Sequence, residues 1–158
     1  MKEKILSLAE LTRRSTEIRQ AGRRLVLTNG CFDLLHPGHV RYLQQAHALG
    51  DCLAVAVNDD DSVRALKGPG RPLNPAQDRA EVLAALQSVD FVTIFTELRA
   101  TQVIEALRPA IYVKGGDYTV ESLDPNETAA LKKVGAEIKT LPLLPGKSTS
   151  ALIERMRR

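Results

Sequence analysis

The chain has 158 residues, 44% of them hydrophobic, which is enough to bury a proper core and suits one globular domain over 1–158, with an N-terminal helix in 1–22 and an α/β core over 23–158. The formal net charge is +3 and the pI near 9.0, but the basic residues are dispersed and aromatics are only 4%, so a nucleic-acid partner is not expected and small anionic substrates account for the excess. No apolar run nears the roughly 20 residues of a membrane span and Met1-Lys2-Glu3-Lys4 has no signal-like apolar region, so a soluble, cytoplasmic protein with no membrane partner is expected.

In chain order, Ser7-Leu8-Ala9-Glu10 reads as a capping box opening a helix that runs towards Gln20 and stops at Gly22. Leu25 to Thr28 then reads as a strand, followed by the turn Thr28-Asn29-Gly30-Cys31-Phe32-Asp33 and by His36-Pro37-Gly38-His39, where a helix over His39 to Leu49 begins. A strand-to-helix junction of this kind offers unpaired N–H groups and a positive dipole to an anion. Gly30 and Gly38 remove side chains where a phosphate would approach, and the spacing of three puts His36 and His39 on one face of the first turn. Two imidazoles with ordinary pKa values near 6.5 are suited to stabilising charge on a phosphate. The bland alternative has one histidine capping the helix and the other packing. Cys31, His36 and His39 match no zinc spacing, so no protein-held metal is expected. Cys31 and Cys52 end different predicted strands and form no C-x-x-C, which fits a reducing compartment.

Cys52 to Asn58 is the second strand. After a short helix comes Lys67-Gly68-Pro69-Gly70-Arg71-Pro72-Leu73-Asn74-Pro75, a stiff loop whose Lys67 and Arg71 suit a phosphoryl group. Gly68-x-Gly70 lacks the later glycine and strand context of a dinucleotide fingerprint, and no Walker A sequence is present. A helix over Asp78 to Leu86, a strand over Phe91 to Phe95 and a helix over Thr101 to Leu107 follow.

The strand Ile111 to Lys114 runs into Val113-Lys114-Gly115-Gly116-Asp117-Tyr118. There the paired glycines let backbone lie against a flat ring, Tyr118 offers a stacking face for a purine, Lys114 reaches for phosphate, and Asp117 suits a ribose hydroxyl or a metal's shell. Asn126 to Val134 reads as a helix and Glu137 to Leu141 as the last strand. Pro145-Gly146-Lys147-Ser148-Thr149-Ser150 precedes a final helix over Ser148 to Met156, a second helix N-terminus fit for phosphate. The basic tail from Arg155 to Arg158 suits a helix C-terminus.

The repeated strand–helix alternation predicts an α/β class protein with a Rossmann-like, doubly wound parallel sheet of about five strands and helices on both faces, with ligands beyond the carboxyl ends of the strands.

Asn29-Gly30-Cys31-Phe32-Asp33-x-x-His36-x-Gly38-His39 with Gly146-Lys147-Ser148-Thr149-Ser150 resembles the HxGH nucleotidyltransferase superfamily, the cytidylyltransferase-like group, across nearly the whole chain. Lys67-Gly68-Pro69-Gly70-Arg71-Pro72, Asp78-Arg79-Ala80-Glu81 and Val113-Lys114-Gly115-Gly116-Asp117-Tyr118 resemble the D-glycero-β-D-manno-heptose 1-phosphate adenylyltransferases, here without a sugar kinase. Glycerol-3-phosphate cytidylyltransferases are similar in layout, but that family's pattern has an arginine where this chain has Leu143, and a tryptophan where it has Tyr118.

The resemblance implies adenylyl transfer from ATP to a sugar 1-phosphate with release of pyrophosphate. His36, His39 and Lys67 would be catalytic. Asn29, Gly30, Cys31, Phe32, Gly38, Lys114 to Tyr118 and Gly146 to Ser150 would hold the nucleotide, and Asp33, Lys67 and Arg71 the sugar phosphate, with Asp33 either touching the sugar or fixing the loop. Mg²⁺ would be bound mainly through the ATP phosphates. The family also implies a homo-oligomer, dimer or larger, in which Arg79 would take part. Two further readings remain: a fragment of an aminoacyl-tRNA synthetase, for which the chain lacks an anticodon-binding extension, and a nucleotide-sensing module that turns nothing over.

Overall fold

A computed structural model describes residues 2–116 and 119–158, with the side chain of Val120 left aside. Five strands, β1 (Leu25–Gly30), β2 (Cys52–Asn58), β3 (Phe91–Phe95), β4 (Ile111–Gly115) and β5 (Glu137–Leu141), form one sheet in the order β3-β2-β1-β4-β5. Every pairing is parallel, with Leu25 opposite Cys52, Ala54 opposite Phe91, Val26 opposite Ile111, and Ile111 opposite Glu137.

The strands β1, β2 and β4 are buried on both faces over most of their length and read as apolar runs, while the edge strand β5 is polar and has no buried residue. Successive residues still alternate between two cores. Leu25, Leu27, Cys52, Ala54, Ala56 and Tyr112 meet the helices α1 (Leu8–Gln20), α5 (Thr101–Leu107) and α6 (Pro125–Val134). Val26, Leu53, Val55, Val57, Ile111 and Val113 meet α2 (Pro37–His47) and α4 (Ala76–Ala84). The remaining helices are α3 (Asp60–Lys67), which links β2 to the stiff loop, and α7 (Thr149–Met156), none of whose residues is buried.

The predicted strands and helices are all present. The N-terminal capping box forms as expected: the Glu10 N–H donates to Ser7 Oγ at 3.2 Å and the Ser7 N–H to Glu10 Oε2 at 2.9 Å. The segment before it is also part of the sheet edge, since the Leu6 N–H donates to the Val92 carbonyl at 2.9 Å and Ile5 bridges Val92 in parallel.

Three helices begin earlier than the sequence reading placed them, α6 by one residue, at Pro125, and α2 and α4 by two. Pro37 takes the first position of α2 because His36 is its N-cap. Helix α4 starts at Ala76 because Asp60 Oδ1, from α3, accepts the Ala76 N–H at 2.8 Å; a cap supplied by a residue so far back in the chain leaves no local signal. The chain runs β1, β2, β3 outwards and returns to place β4 beside β1, so strand order reverses between β1 and β4. Ligands of such sheets bind in the crevice beyond the carboxyl ends there.

Candidate active site

Beyond the end of β1, His36 and His39 stand with their rings stacked, centroids 4.0 Å apart and planes at 30°. His36 Nδ1 accepts the Gly38 N–H at 3.1 Å, while the His36 carbonyl accepts the N–H groups of His39 and Val40 at 2.9 and 3.3 Å. The first donors of α2 are thus taken by His36 itself. This corrects the expectation of open N–H groups at that helix start: an anion there meets imidazoles rather than backbone. Because Nδ1 accepts, the proton of the neutral His36 ring sits on Nε2, the nitrogen left to donate. Capping and an anion-facing role are therefore compatible in one residue.

His39 is the drier of the two. Its pKa is held down at about 4, first by burial and then by the neighbouring His36; His36 is lowered too, by burial and by the Lys147 ammonium. His39 Nδ1 is buried without a partner among the described residues, which leaves Nε2 as the nitrogen available to a ligand.

Lys147 reaches this point because the loop before α7 folds onto the start of α2. A Cβ on Gly38 would lie 2.8 Å from the His36 ring, so glycine is required for that ring to fold back over the helix start, and at 3.4 Å from Lys147 Cβ the position is in ordinary contact with the loop before α7. Thr149 Oγ1 donates to the Leu34 carbonyl at 2.9 Å and fixes the register. Ser148 caps α7 by accepting the Ala151 N–H at 3.1 Å, which leaves the Thr149 and Ser150 N–H groups pointing out of the helix start. Gly146 turns the chain at φ 72°. Two helix starts therefore converge on one spot, one presenting imidazoles and the other open N–H groups.

The stiff loop is held on the opposite wall by Asp33, whose side chain is almost wholly buried. Its carboxylate accepts from Arg71 Nε at 2.8 Å and from the Leu73 and Asn74 N–H groups at 2.9 Å, and its carbonyl accepts from Asn74 Nδ2 at 2.9 Å. Burial alone would raise its pKa, but the Asn74 and Leu73 N–H groups and Arg71 outweigh it and hold the carboxyl below its ordinary value. Of the two roles offered for Asp33, fixing the loop is the one its hydrogen bonds occupy. Arg71 Nε is committed, while its two terminal nitrogens remain for an anion. Lys67 ends α3, exposed, and its charge and those of Arg79 and Arg71 all act on Cys31. Burial nevertheless pushes the Cys31 thiol up, so it stays protonated near neutral pH and is no nucleophile.

Arg79 requires a correction. The family resemblance implies a part for it in an oligomer contact, yet its side chain is 0% exposed. Nε donates to the Asn74 carbonyl at 2.9 Å, one terminal nitrogen to the Cys31 carbonyl at 2.6 Å and the other to Asp60 Oδ1 at 2.9 Å. It ties the β1–α2 loop, the stiff loop and α3 together from inside. Asp60 and Asn74 are not among the predicted site residues, and their only signal is their polarity beside turn residues.

On the β4 side, Asn29 Oδ1 accepts the Tyr112 hydroxyl at 2.5 Å, and Lys114 Nζ lies 5.7 Å from the centre of the Tyr112 ring. Burial lowers the Lys114 pKa, with the buried Glu127 carboxylate opposing. The approach that Gly115 and Gly116 permit is taken by Leu143: a Cβ on Gly116 would lie 2.9 Å from Leu143 Cδ1 and one on Gly115 3.1 Å from Cδ2. Gly116 also has φ 87°, where only glycine is unstrained. Leu143 is 55% exposed, so it adds an apolar surface over the bare backbone. Asp117 and Tyr118, assigned above to ribose and base, lie outside the described residues. Among the described residues no group of three or more His, Cys, Asp or Glu is placed to hold a metal, and no helix is long and apolar enough to cross a membrane.

Among curated proteins, the bifunctional protein HldE of Alkalilimnicola ehrlichii is 52% identical over 152 residues, 96% of this chain and 31% of that protein. HldE of Methylococcus capsulatus is 51% identical over 152 residues, 96% of this chain and 32% of that protein. The chain thus spans about a third of the length of these relatives. Among solved structures, the lipopolysaccharide core biosynthesis protein of Thermoplasma volcanium superposes with a TM-score of 0.64 at 27% identity, covering 78% of this chain and 98% of that one. Pantoate-beta-alanine ligase of Francisella tularensis shares the fold, with a TM-score of 0.59 at 14% identity over 92% of this chain and 68% of that one. The sequence profile of the cytidylyltransferase-like family matches residues 27–155, from the middle of β1 to the last turn of α7, and with the stacked histidines at the head of α2 inside that span, the chain belongs to the cytidylyltransferase-like family.

Proposed function

We propose that the protein transfers the adenylyl group of ATP to a sugar 1-phosphate, D-glycero-β-D-manno-heptose 1-phosphate, giving ADP-heptose and pyrophosphate for lipopolysaccharide core precursors. The observation that carries this reading is the meeting of two helix starts at the switch point, α2 with its stacked imidazoles and α7 with its open N–H groups, opposite a loop bearing Lys67 and Arg71. The similarity to the HldE proteins supports the choice of substrates, as does the lipopolysaccharide role in the name of the Thermoplasma volcanium protein.

In this reading an oxygen of the sugar phosphate attacks the α-phosphorus of ATP in line. The new P–O bond forms as the bond to the bridging oxygen breaks, and pyrophosphate leaves with that electron pair. The attacking phosphate is already an anion near neutral pH, so no strong base is needed; positioning and charge stabilisation carry the rate. Lys67 and the terminal nitrogens of Arg71 grip the sugar phosphate. His36 and His39 donate from Nε2 to the α-phosphate as it becomes five-coordinate. The Thr149 and Ser150 N–H groups and Lys147 hold the β and γ phosphates, with Ser148 keeping the helix start in shape. Gly115, Gly116 and Leu143 form the surface offered to the base, with Asn29 and Lys114 beside it. Mg²⁺ would arrive with the substrate, bound mainly through the ATP phosphates, and would supply charge neutralisation there. The reading places the protein in the cytoplasm, where ATP is supplied, and includes self-association, which sedimentation velocity tests.

The experiment is pyrophosphate release from ATP or CTP with Mg²⁺ and a panel of heptose, hexose and glycerol phosphates. Turnover confined to ATP with heptose 1-phosphate is expected. Turnover with CTP and glycerol 3-phosphate would replace the substrates while keeping the chemistry, and nucleotide binding without turnover on any of them would favour a sensing module.

A further inference from the structure

Among the described residues two that are not glycine have positive φ, Phe32 at 47° and Arg108 at 48°. Arg108 ends α5 in the usual left-handed helix cap. Phe32 ends nothing; it lies within the loop from β1 to α2. A bulky aromatic residue keeps such a backbone angle only when its surroundings impose it, and strain of this kind gathers at functional sites.

The surroundings here are specific. The next residue, Asp33, is fastened by Arg71, Leu73 and Asn74. Gly30 leaves room for the Phe32 ring, since a Cβ there would come within 3.0 Å of Phe32 Cε2. Phe32 as a whole is 8% exposed. What it faces is His39, with centroids 5.4 Å apart and planes tilted by 59°, while another side of His39 is stacked on His36. Held between the two rings, the imidazole has its Nδ1 sealed from solvent with no partner among the described residues.

We propose that Phe32 is a positioning residue acting through His39: its ring, turned inward by the left-handed backbone, walls the imidazole from water and fixes its plane against His36, so that His39 meets the reacting phosphate in one orientation, through Nε2. Burial, to which that wall contributes, is the first cause of the low His39 pKa and His36 the second. The other charged groups nearby come from separate elements. Lys147, before α7, acts on His36; the Asp33 carboxylate is spent on the stiff loop; and Lys67, Arg71 and Arg79 act on Cys31. The wall is thus the lever on His39 that a substitution can remove without touching a charge.

The kinetic half of this inference rests on the proposed reaction, but the structural half does not. Histidine titrations followed by NMR on the ¹⁵N-labelled full chain test it for Phe32→Leu, Phe32→Gly and Phe32→Tyr. With the flat wall gone in the Leu and Gly variants, the His39 midpoint rises by about one pH unit towards its ordinary value. The Gly variant relieves the backbone angle, so a shift shared by Leu and Gly belongs to the ring and not to the strain. The Tyr variant keeps the ring and restores the original midpoint.

In turnover, kcat of the Leu variant falls about 10-fold with its acid limb moved to higher pH and KM for ATP held within about threefold, the signature of lost orientation rather than lost binding. An unshifted His39 midpoint in a folded Leu or Gly variant, or a rise in KM with kcat intact, would overturn the inference. If wild type turns nothing over, the proposed reaction fails while the titration still decides the role of Phe32.

Discussion

Arg71 Nε donates to Asp33 Oδ2 over 2.8 Å, and because the same carboxylate also accepts the Leu73 and Asn74 N–H groups, the wall that carries Lys67 and Arg71 hangs on one buried side chain. Replacing Asp33 by Ala leaves two backbone donors and a guanidinium unsatisfied. The expected cost is about 3 kcal/mol, which at this chain length lowers Tm by about 6–12 °C. KM for the sugar phosphate should rise more than KM for ATP, since the proposed reaction puts the stiff loop on the acceptor side. Equal losses for both substrates, or a Tm within a degree of wild type, would show that the loop is held by something else.

His39 links stability to pH with a definite sign. Its folded pKa is about 4 against an ordinary 6.5, so below pH 6.5 the unfolded chain takes up a proton that the folded one refuses. The stability contribution is full above pH 6.5, is lost as pH falls, and is gone below pH 4. For a group this dry it amounts to about 2–3 kcal/mol. Denaturant titrations of wild type and His39→Gln between pH 7 and 4 should therefore converge on acidification, the variant keeping more of its stability. In turnover His39→Ala lowers kcat about 10²–10⁴-fold, the scale for one lost transition-state donor. Parallel pH curves for the two proteins would mean that His39 is not held neutral.

Arg79 offers a separate test, because it makes its three bonds to three different segments and has 0% of its side chain exposed. Arg79→Met keeps much of the volume but strands the Cys31 and Asn74 carbonyls. A loss of about 3–5 kcal/mol is expected, with no rescue in Arg79→Lys, since a single ammonium cannot span the fork. Self-association at concentrations where the variant remains folded should be unchanged. A variant that folds normally but fails to associate would return Arg79 to an interface.

The sheet and its order of elements were legible because the signals are local: Leu25 to Leu27 and Cys52 to Asn58 are apolar runs bounded by turns, and Ser7 with Glu10 closes a capping box within four residues. The histidine pair was equally plain from spacing. What was not legible depends on partners distant in sequence. Asp60 caps a helix sixteen residues on, Asp33 reaches the loop at 71 to 74, and the paired glycines at the end of β4 face Leu143, which lies after β5. Arg79, a charged residue in an amphipathic helix, reads as surface by period alone; only the two carbonyls and the carboxylate that surround it make it internal. Phe32 showed no sign of its left-handed backbone, which is fixed by Asp33 behind it and Gly30 before it.

Helix α7, to which half of the proposed phosphate site belongs, buries none of its residues, so its placement depends on few contacts. The bond from Thr149 Oγ1 to the Leu34 carbonyl, 2.9 Å long, joins it to the loop that holds the histidines. Thr149→Val keeps the shape and removes the donor, leaving that carbonyl to water at the partly exposed site. A net hydrogen bond is worth about 1 kcal/mol, so the helix start should be held less firmly and KM for ATP should rise about fivefold. The reacting groups on α2 are untouched, which predicts kcat within about twofold and KM for the sugar phosphate unchanged. Thr149→Ser retains the hydroxyl and should behave as wild type. Proteolysis within residues 142–148 should become faster in the Val variant and be slowed again by ATP, because nucleotide binding to the docked helix draws the equilibrium back. If Val and Ser behave alike, the bond to Leu34 does not set the position of α7, and the contact between Gly38 and Lys147 must do so.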